Sequence, residues 1–302
     1  MIVTVDCDYL GPGIAAAYVR LSDAPGDRDV AIIETNTALA VPKILAALRA
    51  HGRSPDDVRY VIVTHVHLDH AGGASALVAA CPRAVLLAHP RAARHLIDPS
   101  KLVASATTVY GADRFGQLYG TIAPAPADRV RALDDGAEVP FAGDVLRFLH
   151  TRGHANHHFV VHDLGARAAF TGDAFGLVYP QLQRAGTFAL PSTSPTDFDA
   201  AAAHAAIDRI LALAPERAYL THFGAVTALA EVAAQLHGWL DLSARLVADQ
   251  LDEPTMRRIL ADELEQRAAA VGLALTDADR ALLALDLDLN AQGLAYVARR
   301  AG

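Results

Sequence analysis

The chain is poor in cysteine and has no long apolar run. Cys7 and Cys81 are the only cysteines in 302 residues, too few for a disulfide framework, so we interpret both as ordinary thiols. No stretch of about 18 uncharged apolar residues occurs, which argues against a transmembrane helix. Residues 1–6 have neither the basic start nor the long apolar core of a secretory signal, so we expect a cytoplasmic protein.

Runs of positive charge are also missing. The formal net charge is −8, and the basic residues are scattered apart from the pair Arg299 and Arg300. Proteins that bind nucleic acids usually present a basic surface to the phosphates, so we expect no nucleic-acid partner and favour a small-molecule substrate. Apolar residues make up 52% of the chain, which is enough for a large buried core.

The sequence does contain a dense group of metal-ligating side chains. Residues 64–70 read Thr-His-Val-His-Leu-Asp-His and follow the apolar residues 60–63, which predict a buried strand. Polar groups at the end of a buried strand are costly unless they bind something. His65 and His67 can point the same way from an extended chain. Neutral imidazole and carboxylate suit Zn²⁺ or Fe²⁺, so we predict a metal site.

The His-x-His-x-Asp-His pattern resembles the signature of the metallo-β-lactamase superfamily. Three later segments resemble further motifs of that family, in the same order along the chain. They read Thr-Arg-Gly-His at residues 151–154, Thr-Gly-Asp at residues 171–173 and Thr-His-Phe-Gly at residues 221–224.

The resemblance implies a site for two divalent metal ions. Two ions about 3.5–4 Å apart can share a hydroxide that attacks the substrate, and a bridging carboxylate offsets the repulsion between them. We expect Zn²⁺, with Fe²⁺ or Mn²⁺ as alternatives, because geometry and supply decide selectivity as much as ligand type. The implied ligands are His65, His67 and His154 for one ion, Asp69, His70 and His222 for the other, and Asp173 between them.

The function that the resemblance implies is hydrolysis of an ester, thioester or lactone-like bond in a small metabolite by the metal-held hydroxide. Asp69, besides being a ligand, could carry a proton to the leaving group. A β-lactamase is disfavoured, because those enzymes meet their substrates outside the cytoplasm and no leader is evident. Two alternatives stay open. One is an oxygen-dependent oxidoreductase with a single iron, similar to the persulfide dioxygenases of the superfamily, and the other is a noncatalytic metal-binding scaffold.

Other residues are expected to support the site. The loop after His154 resembles that of glyoxalase II-like members, in which a Gly-His pair follows the ligand by three and four residues. His158 stands at the histidine position, but His157 replaces the glycine, and it could contact substrate, a ligand or solvent. Glu34 lies where relatives have an Asp-Thr-Gly turn that supports the ligands. Tyr179 is predicted to donate its hydroxyl to an oxyanion, with core packing as the alternative.

Alternating apolar segments predict a layered α/β fold. By resemblance this is an αββα sandwich, with two sheets between outer helices and the metals at one sheet edge. Helices are predicted over residues 42–52, which begin with proline and end at glycine, and over residues 74–80. Strands are predicted at residues 2–5, 15–20, 30–34, 60–63, 84–88, 145–150, 159–162, 168–170 and 217–220.

We predict a metal-binding domain over residues 1–226 and a C-terminal helical extension packed on it over residues 227–302. Within the domain, residues 91–120 form an insertion that either covers the metals or packs its aromatic side chains inside. The extension could close the sandwich, cover the active site or form a homodimer contact. Its helices are predicted over residues 228–250, over residues 253–272, and from a capping box at Thr276 and Asp279 toward Ala298.

Overall fold

The structure is a computed structural model that describes residues 1–193 and 197–301. In this part of the chain, six strands form a first sheet in which the spatial order follows the chain order. The first two pairings are antiparallel and the last three are parallel. The strands are β1 (Ile2–Asp6), β2 (Ala16–Leu21), β3 (Val30–Ile33), β4 (Val58–Ile62), β5 (Val85–Ala88) and β6 (Val130–Ala132).

Helices connect the parallel strands of this sheet, as parallel pairing requires. α1 (Val41–Ala50) joins β3 to β4, and α2 (Leu68–Ala71) and α3 (Ala74–Ala80) join β4 to β5. The predicted insertion is helical. It consists of α4 (Pro90–Ile97), α5 (Ser100–Tyr110) and α6 (Ala112–Tyr119) between β5 and β6.

The second sheet is antiparallel apart from one parallel pair, which is formed by its fourth and fifth strands in chain order. One helix connects the two strands of this pair, and three C-terminal helices follow the last strand of the sheet. The strands are β7 (Glu138–Phe141), β8 (Asp144–His150), β9 (Phe159–Asp163), β10 (Ala168–Gly172), β11 (Arg217–Leu220) and β12 (Gly224–Val226), and the helices are α7 (Ala200–Ala212), α8 (Leu229–Ala248), α9 (Glu253–Ala270) and α10 (Asp277–Ala301).

Three apolar cores confirm the predicted αββα sandwich. Between the sheets, side chains such as Tyr18 and Phe170 are fully buried. On the outer face of the first sheet, α1 and α3 pack through Ile44 and Leu77. The outer face of the second sheet shares a core with α7 to α10, which includes Trp239. No helix among the described residues combines the length and apolar character needed to cross a membrane.

The last helix begins with the predicted capping box. Thr276 N donates to Asp279 Oδ2 over 2.8 Å, and Asp279 N donates to Thr276 Oγ1 over 3.2 Å. Arg184 also pairs with Asp279 at 2.7 Å, which fixes the start of α10 to the segment after β10.

The sequence analysis missed β6, β7, β12 and α7. The three strands have only three or four residues each, too few to show a period of two. In α7 the first six residues are alanines and one histidine, and alanine occurs on buried and exposed helix faces alike.

A buried ion pair joins the two sheets. Arg20 Nε in β2 donates to Asp163 Oδ2 in β9 over 2.7 Å, and the side chains are only 1% and 3% exposed. Charges at this depth are tolerated only when they are paired.

We expect Arg20→Met to destabilise the fold by about 3–5 kcal/mol, because it leaves the Asp163 carboxylate buried and unpaired. Urea unfolding would measure this free energy. Arg258→Met is the matched control, since Arg258 pairs with Asp262 on the surface at 3.3 Å and its loss should cost less than about 1 kcal/mol. Similar destabilisation by both substitutions would contradict the prediction.

Candidate metal centre

The end of strand β4 delivers four of the predicted ligands. Residues 63–67 leave the first sheet and lead directly into the short helix α2. His65 lies in this segment and is fully buried, and His67 comes immediately before the first residue of α2. Asp69 and His70 lie within α2. The turn from strand to helix therefore brings all four side chains to one edge of the sandwich.

The second sheet contributes the other three predicted ligands at the same edge. His154 lies in the loop between β8 and β9, Asp173 directly follows β10, and His222 lies between β11 and β12. The structure thus brings together all seven residues that the sequence motifs single out.

Backbone hydrogen bonds hold the two sheets together beside these ligands. Phe159 N of β9 donates to Thr64 O, next to His65, over 2.9 Å. Ala16 N of β2 donates to Thr221 O, next to His222, over 2.8 Å. Main-chain contacts therefore limit how far the ligands from one sheet can move relative to those from the other.

Three imidazole nitrogens converge in the first group. His67 Nδ1 is 2.8 Å from His65 Nε2 and 3.0 Å from His154 Nε2. Nitrogens this close fit a single ion with nitrogen ligands at about 2.0–2.1 Å.

A second group lies beside the first, and Asp173 lies between them. Asp69 Oδ2 is 3.8 Å from His70 Nε2 and 3.5 Å from His222 Nε2. Asp173 Oδ1 is 3.2 Å from His70 Nε2, whereas its Oδ2 is 3.6 Å from His154 Nε2. The two oxygens of one carboxylate thus face the two groups of ligands.

Outer contacts decide which nitrogen of each ring faces the centre. His154 Nδ1 donates to Ser192 O over 3.1 Å, and His222 Nδ1 donates to Ile14 O over 2.8 Å. Each Nε2 is then left as the acceptor that a metal ion needs. Backbone carbonyls and carboxylates commonly orient metal-ligating histidines in this way.

Glu34 orients the remaining pair of buried histidines. Its Oε1 is 3.5 Å from His70 Nδ1 and accepts a hydrogen bond from Thr64 Oγ1. The same Thr64 hydroxyl oxygen is 3.1 Å from His65 Nδ1. The support that the sequence analysis expected from Glu34 is therefore present.

Unpartnered buried atoms show that the residues fit a metal ion. His70 Nε2 and Asp173 Oδ1 are buried without a hydrogen-bond partner among the described residues. Such atoms are rare in folded proteins and need an explanation. Both face the point where the ligand groups meet, and a cation there would satisfy both.

The pKa shifts indicate where positive charge is favoured. Burial, followed by neighbouring imidazoles, holds the pKa of His65 and of His67 well below its usual range, so these rings are neutral and able to bind metal. Burial acts in the same direction on His70, but Asp173 and Asp69 outweigh it and raise the pKa of His70 well above its usual range. The carboxylates thus favour a positive charge, which a proton or a metal ion can supply.

Two motif glycines are required by close approach of the backbone. Gly172 has a φ of +49°, and a Cβ there would lie 2.4 Å from Thr64 Oγ1 and 2.6 Å from His158 Nε2. Gly153 has a φ of +127°, and its Cβ would lie 2.4 Å from the backbone of Ala203. A side chain at Gly172 would displace Thr64, which contacts Glu34 and His65, and a side chain at Gly153 would collide with the backbone of α7.

The ligands form the floor of a cleft of about 980 Å³. His67, Asp69, Asp173 and His222 line it at this end. Residues of α5 and α6 from the insertion also line the cleft, and so do residues of α10. The side chains of Phe115 and Tyr119 in the insertion are buried.

Tyr179 also lines the cleft, where its hydroxyl donates to Asp286 Oδ1 over 3.3 Å. Its ring centroid is 6.5 Å from that of His222. Burial, followed by Asp286, raises the pKa of Tyr179 well above its usual range, so the hydroxyl keeps its proton. Burial also raises the pKa of Asp286 to about 6.

The two histidines after His154 have different surroundings. His158 is fully buried, and its Nδ1 is 2.8 Å from Thr151 Oγ1. His157 is half-buried, and its ring stacks 6.0 Å from that of His65. Burial, followed by His154, lowers the pKa of His157 to about 4, so the ring is neutral at physiological pH.

Sequence reasoning missed Ser192, Ile14 and Asp286. Ser192 and Ile14 contribute backbone carbonyls, which leave no mark in the sequence. Asp286 follows Asp173 by more than a hundred residues. In the sequence, Asp286 is marked only as a carboxylate among the leucines of α10.

The chain is similar in sequence to known proteins over the part that carries these ligands. The family model described as "Metallo-beta-lactamase superfamily" matches residues 11–222. The metallo-beta-lactamase fold-containing protein ST1585 of Sulfurisphaera tokodaii is 30% identical over 127 residues, which are 41% of this chain and 47% of that relative. The chain thus matches about half the length of this curated relative.

Solved structures share the fold over more of the chain. The structure of ST1585, described as an archaeal metallo-beta-lactamase superfamily protein, covers 97% of both chains with a TM-score of 0.67 and 20% identity. Protein TTHA1429 of Thermus thermophilus covers 100% of this chain and 93% of its own, with a TM-score of 0.66 and 18% identity. The BLEG-1 B3 metallo-beta-lactamase covers 78% of this chain and 95% of its own, with a TM-score of 0.57 and 18% identity.

We expect Asp173→Ala to lose metal, because the substitution removes the carboxylate that faces both ligand groups. After equilibration with Zn²⁺ and gel filtration, elemental analysis should find about two ions per parent chain and fewer than about one in the variant. The exposed Asp128→Ala is the matched control and should retain the parent's content. Equal metal content in both variants would contradict the assignment.

Proposed function

Because the chain belongs to the metallo-beta-lactamase superfamily, we propose that it is a metal-dependent hydrolase of an ester, thioester or lactone in a small metabolite. The observation that carries the proposal is the position of Asp173. Its two carboxylate oxygens face separate groups of ligands at the floor of an open cleft. This is the arrangement that a pair of divalent ions needs.

The chemistry that bound metal ions supply is a hydroxide nucleophile at neutral pH and polarisation of the substrate carbonyl. The chain's residues hold and orient this centre. One ligand group consists of His65, His67 and His154. The other group consists of Asp69, His70 and His222.

Asp69 is the carboxylate to which we assign a proton transfer. Its side chain is 26% exposed and lines the cleft, whereas that of Asp173 is only 6% exposed. Asp69 is therefore the one that a leaving group in the cleft can reach, and we assign it the delivery of the proton.

Tyr179 is the chain's candidate for stabilising an oxyanion. Its hydroxyl keeps its proton and lies in the cleft wall near His222. In the structure it donates to Asp286 over a long distance of 3.3 Å, so it must turn away from this partner to donate to a substrate.

We expect hydrolysis to depend on the metal ligands. Zinc-loaded protein should turn over members of a panel of esters, thioesters and lactones, and chelation should abolish this activity until zinc is restored. His222→Ala should lower kcat/KM at least about 100-fold, because it removes a ligand of the second group. His51→Ala, which alters an exposed histidine at the C-terminal end of α1, should have no effect. A β-lactam belongs in the panel, because several structural neighbours are named as β-lactamases.

Metal content, oxygen uptake and turnover of the panel distinguish the alternative functions. A single iron per chain in anaerobically purified protein, with oxygen uptake on persulfide substrates, would replace the hydrolase by an oxygen-dependent oxidoreductase. Fully bound metal without turnover of any substrate would indicate a noncatalytic scaffold. Membership of the glyoxalase II-like branch stays a prediction, and preference for thioesters in the panel would support it.

We expect Tyr179→Phe to lower kcat by about 10²–10³-fold with little change in KM, because an oxyanion donor acts in the transition state. Steady-state kinetics on the best substrate of the panel would measure this. Tyr296→Phe, which alters another tyrosine of the cleft, is the matched control and should leave kcat unaffected. An unchanged kcat in Tyr179→Phe would remove Tyr179 from the mechanism.

A further inference from the structure

The helix α10 presents an apolar stripe to the cleft above the ligands. Leu282, Leu285 and Leu289 follow one another at intervals of three and four residues and all line the cleft. Leu10 and Leu102, from other parts of the chain, also line the cleft. Leucines from three separate segments therefore contribute to its surface.

Two of these leucines are unusually exposed. Leu285 is 50% exposed and Leu10 is 51% exposed, and they belong to the few large apolar side chains that the described residues leave open to solvent. Apolar side chains that converge on a cleft, rather than lying singly on the surface, indicate a binding site for an apolar group.

The charges in the cleft are mainly negative. Away from the ligands, Glu253 and Asp286 line it, and Arg299 is the one lysine or arginine among its described lining residues. Arg299 is exposed near the end of α10. Recognition of a carboxylate or phosphate generally requires converging basic groups, and a half-buried carboxylate such as Asp286 repels such a group.

We propose that the cleft binds a substrate with an uncharged, apolar acyl chain that lies along α10. In this proposal Asp286 excludes anionic substrates. The proposal rests on the hydrolase function proposed above. The volume of about 980 Å³ leaves room for such a chain beside the reacting bond. Leu285 and Leu289 form its wall. Esters, thioesters and lactones that carry several negative charges are poor substrates under this proposal.

Kinetics on three p-nitrophenyl esters test the proposal with the zinc-loaded protein. Each methylene buried in the cleft should raise kcat/KM roughly fourfold, so the hexanoate should exceed the acetate by up to about 200-fold. The monoadipate, which is close to the hexanoate in length but ends in a carboxylate, should be at least about 10-fold poorer than the hexanoate.

Variants connect these ratios to named residues. Leu285→Ser should lower the hexanoate-to-acetate ratio by about 10-fold. Leu39→Ser, which alters a leucine that is 57% exposed outside the cleft, should leave it unchanged. Asp286→Asn should raise the monoadipate-to-hexanoate ratio by about 10-fold, because it removes the repelling charge. Turnover of the esters with ratios that depend on neither length nor charge would overturn the inference and leave the hydrolase function standing.

Binding of simple ketones provides a measurement that does not depend on turnover. By calorimetry, 2-octanone should bind more tightly than 2-butanone, by roughly fourfold per additional methylene, and Leu285→Ser should reduce this difference. If no ester is hydrolysed but the ketones bind in this way, the proposed hydrolase function is wrong and the proposed apolar binding site is supported. Equal affinity for the two ketones would contradict the proposal that the cleft binds an apolar chain.

Discussion

Compensation of buried charge at the centre is the constraint on which the rest of the structure depends. Asp173 is nearly inaccessible to water, and several imidazoles surround it. Its Oδ1 has no hydrogen-bond partner among the residues that the structure describes. Such a group is stable only if each ring presents the correct nitrogen and if a cation completes the set. Glu34 and Thr64 on one side, and the carbonyls of Ile14 and Ser192 on the other, meet the first condition.

The two sheets are held in register by contacts that also position the ligands. The bond from Phe159 N to Thr64 O and that from Ala16 N to Thr221 O lie beside ligands and cross from one sheet to the other. A side chain at Gly172 would collide with Thr64. The end of the strand that precedes Asp173 can therefore approach residues 64–70 only with glycine at position 172. Sheet packing and metal-site geometry are therefore the same set of interactions.

The candidate ligands and one part of the cleft lining come from different parts of the fold. The ligands come from loops of the sandwich, whereas α10 supplies the cleft wall with its leucines and Asp286. The start of α10 is fixed by its capping box and by the pair of Arg184 with Asp279. Farther along the helix, Asn290 donates to Pro191 O over 3.1 Å and accepts from Thr193 N over 2.8 Å, on either side of Ser192. The helix is therefore bonded to the segment whose carbonyl orients His154.

The local sequence by itself determined four of the candidate ligands and much of the fold, whereas the family resemblance supplied His154, Asp173 and His222. His65, His67, Asp69 and His70 are close in sequence, so a strand followed by a turn brings them together whatever the rest of the chain does. The capping box of α10 and the long helices likewise follow from local pattern. Only the tertiary structure decided the remainder. Short strands such as β6 carry too little pattern, the carbonyl of Ile14 is not visible in residue type, and Asp286 meets Tyr179 across more than a hundred residues. These contacts depend on how the helices pack on the sheets, which is a property of the whole core rather than of any segment.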